Sequence, residues 1–181
     1  MKTRVFPLEK TRIVPLVLTV FIIIMDQITK FIIVKNWPRQ GTLIKDVFNN
    51  DFLWIFHVRN KDIAFSLGSS LPEFIKPVLF VVLPVLVLGF LLWYYLSSDE
   101  FGPIQRWAAA GIIGGGIGNI VDRIFRPDGV VAFLRVKFYG LFGFERWPTF
   151  NIADSSVVVC CIILFLTIFI GSSKEREKAV S

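Results

Sequence analysis

Residues 77–96 read PVLFVVLPVLVLGFLLWYYL, a run of twenty residues without a charged side chain. A helix needs about twenty apolar residues to cross the hydrocarbon core of a bilayer. A helix at the surface of a soluble bundle needs a polar face toward water, and this run has none. The stretch therefore predicts a transmembrane helix.

The composition of the whole chain agrees with a membrane protein. Its 181 residues are 54% hydrophobic and 19% charged, and the mean hydropathy is +0.65. These values exclude a disordered chain and an ordinary cytosolic globule. The net charge of +6 is dispersed, whereas a nucleic-acid-binding protein concentrates it on one face, so no nucleic-acid partner is expected. Membrane lipids with anionic headgroups are the expected surroundings.

Three other segments are long and apolar enough to be further spans, and together they predict an all-α membrane fold with four transmembrane helices in a single domain over residues 1–171. A period of two in Phe52, Trp54, Phe56 and Val58 predicts a half-buried strand outside the membrane. The predicted spans are about 13–34, 77–96, 103–121 and 152–170, the external segments are 36–73 and 123–150, and residues 172–181 form a mobile cytoplasmic tail.

Four spans place both termini on one side of the membrane. Both tails are basic, and cytoplasmic segments carry an excess of Lys and Arg, so both termini are predicted to be cytoplasmic. The segments that this orientation places outside are also basic, which weakens the signal. The basic tail residues are Lys2, Arg4, Lys10 and Arg12 at the front and Lys174, Arg176 and Lys178 at the back.

Polar residues inside three of the spans converge on one leaflet. With the tails inside, the predicted topology brings all of them to the outer leaflet, which indicates a single site near the external surface, since ionisable residues inside a membrane are costly and usually functional. They are Asp26 and Lys30 in the first span, Asn119 and Asp122 at the end of the third, and Asn151 and Asp154 at the start of the fourth.

Some of these features have simple structural explanations. Asp26 and Lys30 are four residues apart, so they share a helix face and form an ion pair that locks helix packing or supports the site. Asp154 at a helix start also interacts favourably with the helix dipole. The glycines of the third span favour close helix packing, or admit a lipid chain or peptide. His57, the only histidine, is expected in an interfacial loop.

The chemistry available to this site is that of carboxylates and amides. Two carboxylates that share a proton can activate water against an amide bond without a metal.

Four motifs, in this order along the chain, resemble those of lipoprotein signal peptidase (signal peptidase II), an intramembrane aspartic protease. The resemblance covers nearly the whole chain, and the combination is far more specific than any motif alone. The matching stretches are DQITK from Asp26 to Lys30, RNKDIAFS from Arg59 to Ser66, GGGIGNIVDR from Gly114 to Arg123, and FNIADS from Phe150 to Ser155.

The resemblance implies a function and a fold. It implies four transmembrane helices with a small external β-rich cradle in the bacterial cytoplasmic (inner) membrane. It implies cleavage of diacylglyceryl-modified prolipoproteins on the N-terminal side of the lipidated cysteine, without a metal or cofactor, and inhibition by globomycin-type cyclic peptides. The two catalytic carboxylates of the family correspond to Asp154 and to position 132.

Position 132 is where this sequence departs from the family. The family reads V-V-D-F there, and this chain reads Val130-Val131-Ala132-Phe133, so the partner of Asp154 is missing. We consider three explanations: a deliberate inactivating substitution, a natural inactive relative, or a catalytic role for Asp122. Arg123 is expected to keep Asp122 ionised, which suits a structural role better than proton exchange.

The remaining site residues receive supporting roles as hypotheses. Asn151 orients Asp154, Asn119 binds the substrate backbone, and Asn60 holds the substrate from the external loop. Asp122 with Arg123 braces the third span, and Asp26 with Lys30 pins the first. The competing functions are a lipoprotein-binding pseudoenzyme and a small proton-coupled transporter subunit.

Overall fold

A computed structural model describes residues 9–61 and 71–180 of the chain. Part of the second predicted motif, from Asp62 to Ser66, lies outside the described residues. The described helices are α1 (Lys10–Ile13), α2 (Leu16–Asn36), α3 (Leu83–Ser97), α4 (Pro103–Phe125) and α5 (Ile152–Val180), and the strands are β1 (Thr42–Asp46), β2 (Leu53–Asn60) and β3 (Val130–Val136).

Three helical stretches are long and apolar enough to cross a membrane: Lys10–Asn36, Val78–Ser97 and Ile152–Ile170. They coincide with three of the predicted spans. The second begins with a π-helical turn, Val78–Val82, that leads into α3. The structure is thus mostly helical, with three helices of membrane-crossing length and composition in the described part of the chain.

Helix α4 corresponds to the third predicted span and differs from the other three helices. Its 23 residues give a length of about 34 Å, which is enough for a bilayer, but its composition is less apolar. It packs against α2, α3 and α5, and much of its length is buried against them. A helix enclosed by other helices need not present an apolar surface to lipid all round, which explains its weaker hydropathy.

The glycines of α4 permit this central position. A Cβ atom at Gly115 would lie 2.4 Å from the backbone oxygen of Ala153, and one at Gly111 would lie 2.2 Å from the Sγ atom of Cys160. The helices also exchange hydrogen bonds, because the Thr19 hydroxyl donates to the Ala110 carbonyl at 2.7 Å. The predicted close packing of the glycine-rich helix is confirmed.

The strands form one antiparallel sheet in the order β1-β2-β3. The strand predicted from the alternation of Phe52 to Val58 is confirmed as β2. It pairs with β1 from its own loop and with β3 from the distant segment between α4 and α5. Gly129 precedes β3 and lets its backbone lie close to that of Asn60. Its φ is +96°, and a Cβ atom there would lie 2.4 Å from the carbonyl oxygen of Asn60.

The sheet docks on the end of α2. Ile33 of α2 packs with Val131 and Phe133 of β3 in a small apolar core. His57 of β2 is fully buried, and its Nδ1 atom lies 2.6 Å from the carbonyl oxygen of Trp37. The expectation that His57 lies in an interfacial loop is therefore wrong. His57 is in strand β2, and its side chain is buried. Burial lowers the pKa of this imidazole below its ordinary value.

The other end of the bundle is held by two buried arginines. Arg12 donates to the carbonyl of Leu96 and to Asp99, while the Tyr95 hydroxyl donates to the Arg12 carbonyl at 2.5 Å. Arg106 donates to the Ser98 carbonyl at 3.1 Å. These bonds tie α1, α3 and α4 together at the end of the bundle opposite to the sheet.

Helix α5 ends later than predicted. It continues to Val180, through the segment that the sequence predicted to be a tail after residue 171.

Candidate functional site

Helices α2, α4 and α5 bring six predicted site residues into one hydrogen-bonded cluster beside β3. Lys30 and Asp122 are fully buried, as are Asp26 and Asn151. Buried charges are tolerated only where they are paired and hydrogen-bonded. The stability of this cluster therefore depends on the ion pairs and hydrogen bonds among its members.

Lys30 is the cation at the centre of this cluster. Its Nζ atom lies 2.7 Å from Asp26 and 3.1 Å from Asp122, and it donates to the Oδ1 atom of Asn119 at 3.1 Å. An ammonium group has three donors, and all three have acceptors here. The predicted pair of Asp26 and Lys30 is confirmed, and the structure extends it into a link between α2 and α4.

Asp26 also reaches the third helix of the site. Its Oδ1 atom accepts a hydrogen bond from the backbone N–H of Ala153 at 3.0 Å. The first N–H groups of a helix have no acceptor within the helix, so this carboxylate satisfies one of them in the first turn of α5. Asp26 therefore joins α2 to the start of α5.

Asp122 is held from three directions. Besides Lys30, it forms an ion pair with Arg126, four residues later at the C-cap of α4. Its Oδ2 atom accepts a hydrogen bond from the backbone N–H of Val131 in β3 at 2.9 Å. The sequence pointed to Arg123 as the partner of Asp122. The structure shows Lys30 and Arg126 in contact with this carboxylate, and the guanidinium of Arg123 lies 5.1 Å from the ring centre of Phe80.

The bonds around Asn119 fix which way its amide faces. Its Oδ1 atom accepts from Lys30 and, at 3.0 Å, from the Nδ2 atom of Asn151. Two donors on one atom identify it as the carbonyl oxygen. The Nδ2 atom then faces Asp154 and donates to its Oδ1 atom at 2.7 Å. The amide of Asn119 thus links the ammonium group of Lys30 to the carboxylate of Asp154.

Asn151 and Asp154 cap the start of α5 reciprocally. The backbone N–H of Asp154 donates to the Oδ1 atom of Asn151 at 2.8 Å, and the backbone N–H of Asn151 donates to the Oδ2 atom of Asp154 at 3.1 Å. This is the geometry of a capping box, in which two side chains satisfy each other's backbone donors. Both oxygens of Asp154 therefore have defined donors.

Ala132 lies in β3, next to this cap. The Nδ2 atom of Asn151 donates to the carbonyl oxygen of Val131 at 3.1 Å, so a single side chain connects the residue before Ala132 with the cap of Asp154. The backbone of Phe133 also bonds to Phe150, since its N–H donates to that carbonyl at 2.9 Å. Ala132 itself is 3% exposed.

Asn60 stands at the end of β2, two residues beyond Val58. In the sheet Val58 is opposite Ala132 and Asn60 is opposite Val130. Side chains at alternate positions of a strand point to the same face, so Asn60 and Ala132 share a face of the sheet as diagonal neighbours. The sequence predicted Asn60 on an external loop, and pairing with β3 brings it to the strand that carries position 132.

Two members of the cluster were not predicted. Gln27 donates through Nε2 to the Gly118 carbonyl at 3.0 Å and to Asp122 at 3.1 Å. A polar residue beside Asp26 in an otherwise apolar span was the available signal. Arg126 was the other omission, and its position four residues after Asp122 was the signal, because that spacing places both on one helix face.

The described residues contain no group of three or more His, Cys, Asp or Glu side chains that could hold a metal ion. The two acids of α2 and α4 face an ammonium group instead. Without Asp154, the cluster contains two carboxylates, Asp26 and Asp122, and two cations, Lys30 and Arg126.

The comparisons with known proteins agree with the family suggested by the motifs. A family model described as signal peptidase (SPase) II matches residues 18–170. The lipoprotein signal peptidase of Treponema pallidum (strain Nichols) is 39% identical over 168 residues, which cover 93% of this chain and 89% of that protein. That of Borrelia garinii subsp. bavariensis is 45% identical over 150 residues, which cover 83% of this chain and 85% of that protein.

Two solved structures, each described as a bacterial membrane enzyme, have the same fold. One is 25% identical with a TM-score of 0.74 and covers 89% of this chain and 90% of its own. The other is 26% identical with a TM-score of 0.72 and covers 86% of this chain and 92% of its own. By the family model, these relatives and its ordered motifs, this membrane protein belongs to the signal peptidase II family, the proteases that process lipoproteins.

Proposed function

We propose that this chain binds diacylglyceryl-modified prolipoproteins at a site formed by Asp154 and the strand around position 132, and that it does not hydrolyse them as long as residue 132 is alanine. With aspartate at position 132, the same site would cleave the substrate on the N-terminal side of the lipidated cysteine. The observation that carries this proposal is the side chain of Asn151, which bonds to the Val131 carbonyl and caps Asp154.

The proposed topology has four transmembrane helices in the bacterial inner membrane. Helix α4 is the fourth crossing, because it is long enough and the other three helices surround it. Both termini are cytoplasmic, which places the sheet and the Asp154 cluster at the outer leaflet. The diacylglyceryl chains of the substrate would lie between helices in that leaflet, and globomycin-type inhibitors would occupy the same space.

In the variant with aspartate at position 132, the two carboxylates would divide the work of an aspartic protease. The ionised carboxylate takes a proton from a water molecule, whose oxygen attacks the scissile carbonyl carbon. The protonated carboxylic acid donates a hydrogen bond to the oxyanion that develops and then gives its proton to the leaving amine. Anchoring of the lipid in the membrane would position the scissile bond and reduce the entropic barrier.

The surrounding residues would keep Asp154 in place for this chemistry. Asn119 donates to its Oδ1 atom at 2.7 Å, and the Asn151 backbone donates to its Oδ2 atom at 3.1 Å. Donors on both oxygens limit the rotation of the carboxylate. Asn60, on the same face of the sheet as position 132, is suited to hold the extended substrate backbone.

Asp122 is poorly suited to replace the missing acid. It is fully buried, and its oxygens accept from Lys30, Arg126 and the backbone of Val131. A carboxylate with two cations beside it remains ionised and does not exchange protons with a substrate. This supports a structural role for Asp122.

Restoring the acid tests the proposal. The chain and its Ala132→Asp variant are reconstituted in liposomes with a synthetic lipidated precursor, and the released signal peptide is quantified. We expect no turnover by the chain as it stands and measurable turnover by Ala132→Asp. A further Asp154→Asn change should abolish that turnover, since loss of a catalytic group typically lowers the rate by several orders of magnitude. Normal turnover by the unaltered chain would overturn the assignment of position 132.

A non-catalytic role is the second candidate, and Ala132 is the observation that favours it. A protein that retains the whole cluster around Asp154 but lacks one acid would bind lipidated precursors and protect or deliver them. Equilibrium binding of a fluorescent lipidated peptide separates the two properties. Binding should be similar for the chain and for Ala132→Asp,Asp154→Asn, and absence of binding by both would exclude the lipoprotein-binding site.

A further inference from the structure

Both hydrogen-bonding groups of the Val131 backbone are bonded to the buried cluster rather than to β2. The N–H donates to the Oδ2 atom of Asp122 at 2.9 Å, and the carbonyl oxygen accepts from the Nδ2 atom of Asn151 at 3.1 Å. The N–H and carbonyl of one strand residue point to the same side of the strand, so those of Val131 face away from β2. Helix α4 holds one of them and the cap of α5 holds the other.

The neighbours of Val131 are bonded in the opposite direction. In the register of the sheet, Val130 is opposite Asn60 and Ala132 is opposite Val58. Successive residues of an antiparallel strand alternate in the direction of their backbone groups, so those of Val130 and Ala132 face β2. The position of residue 132 therefore depends on the ladder with β2 and on the two bonds of Val131, the residue directly before it.

Asp122 is a strong acceptor for the N–H of Val131, because its carboxylate is buried and held in place by other groups. Its Oδ2 atom lies 3.1 Å from the ammonium group of Lys30. Its Oδ1 atom accepts from Gln27 at 3.1 Å and from Arg126. A hydrogen bond to an ionised acceptor is roughly twice as strong as one between neutral groups. Loss of this single bond should therefore be enough to loosen β3 at Val131.

The same bond also closes the short connection from α4 to β3. Helix α4 ends at Phe125 and β3 begins at Val130, so the connection consists of residues 126–129. Closure of this turn alone would make Asp122 a purely structural residue. The bond from Asn151 to the Val131 carbonyl points further, because Asn151 also caps Asp154. The residue that Asp122 holds is therefore attached directly to the residue that holds Asp154.

We propose that Asp122 is a positioning residue for the residue at position 132, and that it acts through the N–H of Val131. With Asn151 on the carbonyl of Val131, the strand before position 132 and the start of α5 are held in one frame. In the variant with aspartate at position 132, this frame sets the separation of the two carboxylates. A displacement of about 1 Å can lower a rate about 100-fold. This inference rests on the proposed function of the site.

Replacement of a single backbone group tests this role. In the Ala132→Asp variant, Val131 is exchanged for its α-hydroxy acid analogue, in which an ester oxygen takes the place of the N–H and every side chain is kept. The matched control is the same exchange at Phe133, whose N–H donates to the Phe150 carbonyl at 2.9 Å. Turnover of a synthetic lipidated precursor in liposomes is measured for each ester, with and without Asp122→Ala. The esters leave the ion pairs of Asp122 in place, so they decide the question even if Asp122→Ala does not fold.

We expect the ester at Val131 to lower kcat by about 30-fold or more and to change KM by less than about threefold, because it misplaces a reacting group and leaves substrate binding intact. In the Asp122→Ala background the same ester should lower kcat by less than about threefold further, whereas the ester at Phe133 should keep its own effect. An unchanged kcat for the Val131 ester would overturn the role of Asp122. So would effects of the ester and of Asp122→Ala that simply multiply.

Two readouts separate this inference from the proposed function. Absence of turnover by Ala132→Asp with an ordinary Val131 would contradict the proposed function itself, whereas turnover that the Val131 ester leaves unchanged would contradict only the role of Asp122. Amide hydrogen exchange of the chain as it stands, followed by NMR in detergent micelles, does not depend on catalysis. Asp122→Ala should accelerate exchange of the Val131 amide at least about tenfold more than that of Val130. Equal acceleration at both amides would overturn the proposal.

Discussion

The ammonium group of Lys30 lies 2.7 Å from the carboxylate of Asp26, one turn back on α2, and neither side chain has any exposed surface. The same ammonium group lies 3.1 Å from Asp122 of α4. Replacing it by an apolar side chain of similar length would leave two buried carboxylates facing each other. Lys30→Met should therefore lower the free energy of unfolding by about 3–5 kcal/mol, measured by denaturant titration in detergent micelles.

Lys35→Met is the control for that prediction. Lys35 is on the same helix, but its side chain is exposed, and we expect its replacement to change stability by less than about 0.5 kcal/mol. The double variant Lys30→Met,Asp26→Asn should recover part of the loss, because it removes one unpaired charge. Equal effects of Lys30→Met and Lys35→Met would mean that the buried network does not stabilise the fold.

Gly115 is predicted to be intolerant of even a methyl group. A Cβ atom there would lie 2.4 Å from the backbone oxygen of Ala153, and backbone cannot move aside cheaply. Gly115→Ala should destabilise the protein by about 1–3 kcal/mol through overpacking. Gly89→Ala in α3 is the control, since no atom lies within 4 Å of a Cβ built there, and it should be neutral or slightly stabilising. Thermal unfolding of both variants in the same detergent gives the comparison.

His57 should make stability depend on pH near neutrality. Burial lowers its pKa in the folded state below the ordinary value of 6.5, so the unfolded chain binds a proton more readily than the folded one. Stability is then complete above about pH 6.5 and decreases as the pH falls from there toward the folded pKa. His57 is the only histidine of the chain, so His57→Gln should flatten the profile between about pH 5.5 and 7.5. An unchanged slope in that variant would assign the dependence to another group.

Asp51, in the turn between β1 and β2, should control the order of residues 137–147, which follow β3. Its hydrogen bond from Lys137 is the main cause of a pKa below the ordinary value of 3.8, so the carboxylate stays charged and paired at neutral pH and loses this pairing as the pH falls below that value. Asp51→Asn removes the charge at any pH. We expect faster amide hydrogen exchange in residues 137–147 and no change in α4, measured by mass spectrometry. Slower or equal exchange in that turn would show that other contacts hold it.

Part of the cluster could be predicted from the sequence, because residues one helical turn apart share a face whatever the rest of the fold. Asp26 with Lys30 and Asn151 with Asp154 are separated by one turn, so each pair could be predicted before any tertiary structure was known. The meeting of the two pairs with Asn119 followed from the alternating direction of the spans. The fourth crossing remains a prediction, since α4 lies inside the bundle and its hydropathy reflects helix neighbours rather than lipid.

Other features depend on long-range strand pairing, which no local pattern reveals. The burial of His57 follows from the position of the sheet at the end of α2, where its Nδ1 atom meets the carbonyl oxygen of Trp37, and the position of Asn60 follows from its register with β3. The bond from Val131 to Asp122 has the same origin. The ion pair of Asp122 with Arg126 was not predicted, although residues four apart share a helix face.

The pairing of β2 with β3 joins two long connections of the chain, the one between α2 and α3 and the one between α4 and α5. One connection contributes Asn60 and the other contributes residue 132, and their backbones exchange hydrogen bonds along the strands. A displacement of either strand by a bound peptide must therefore move the other. Within the described residues, the two connections are therefore coupled along these strands, and a peptide that shifts one strand would change the positions of Asn60 and residue 132 together.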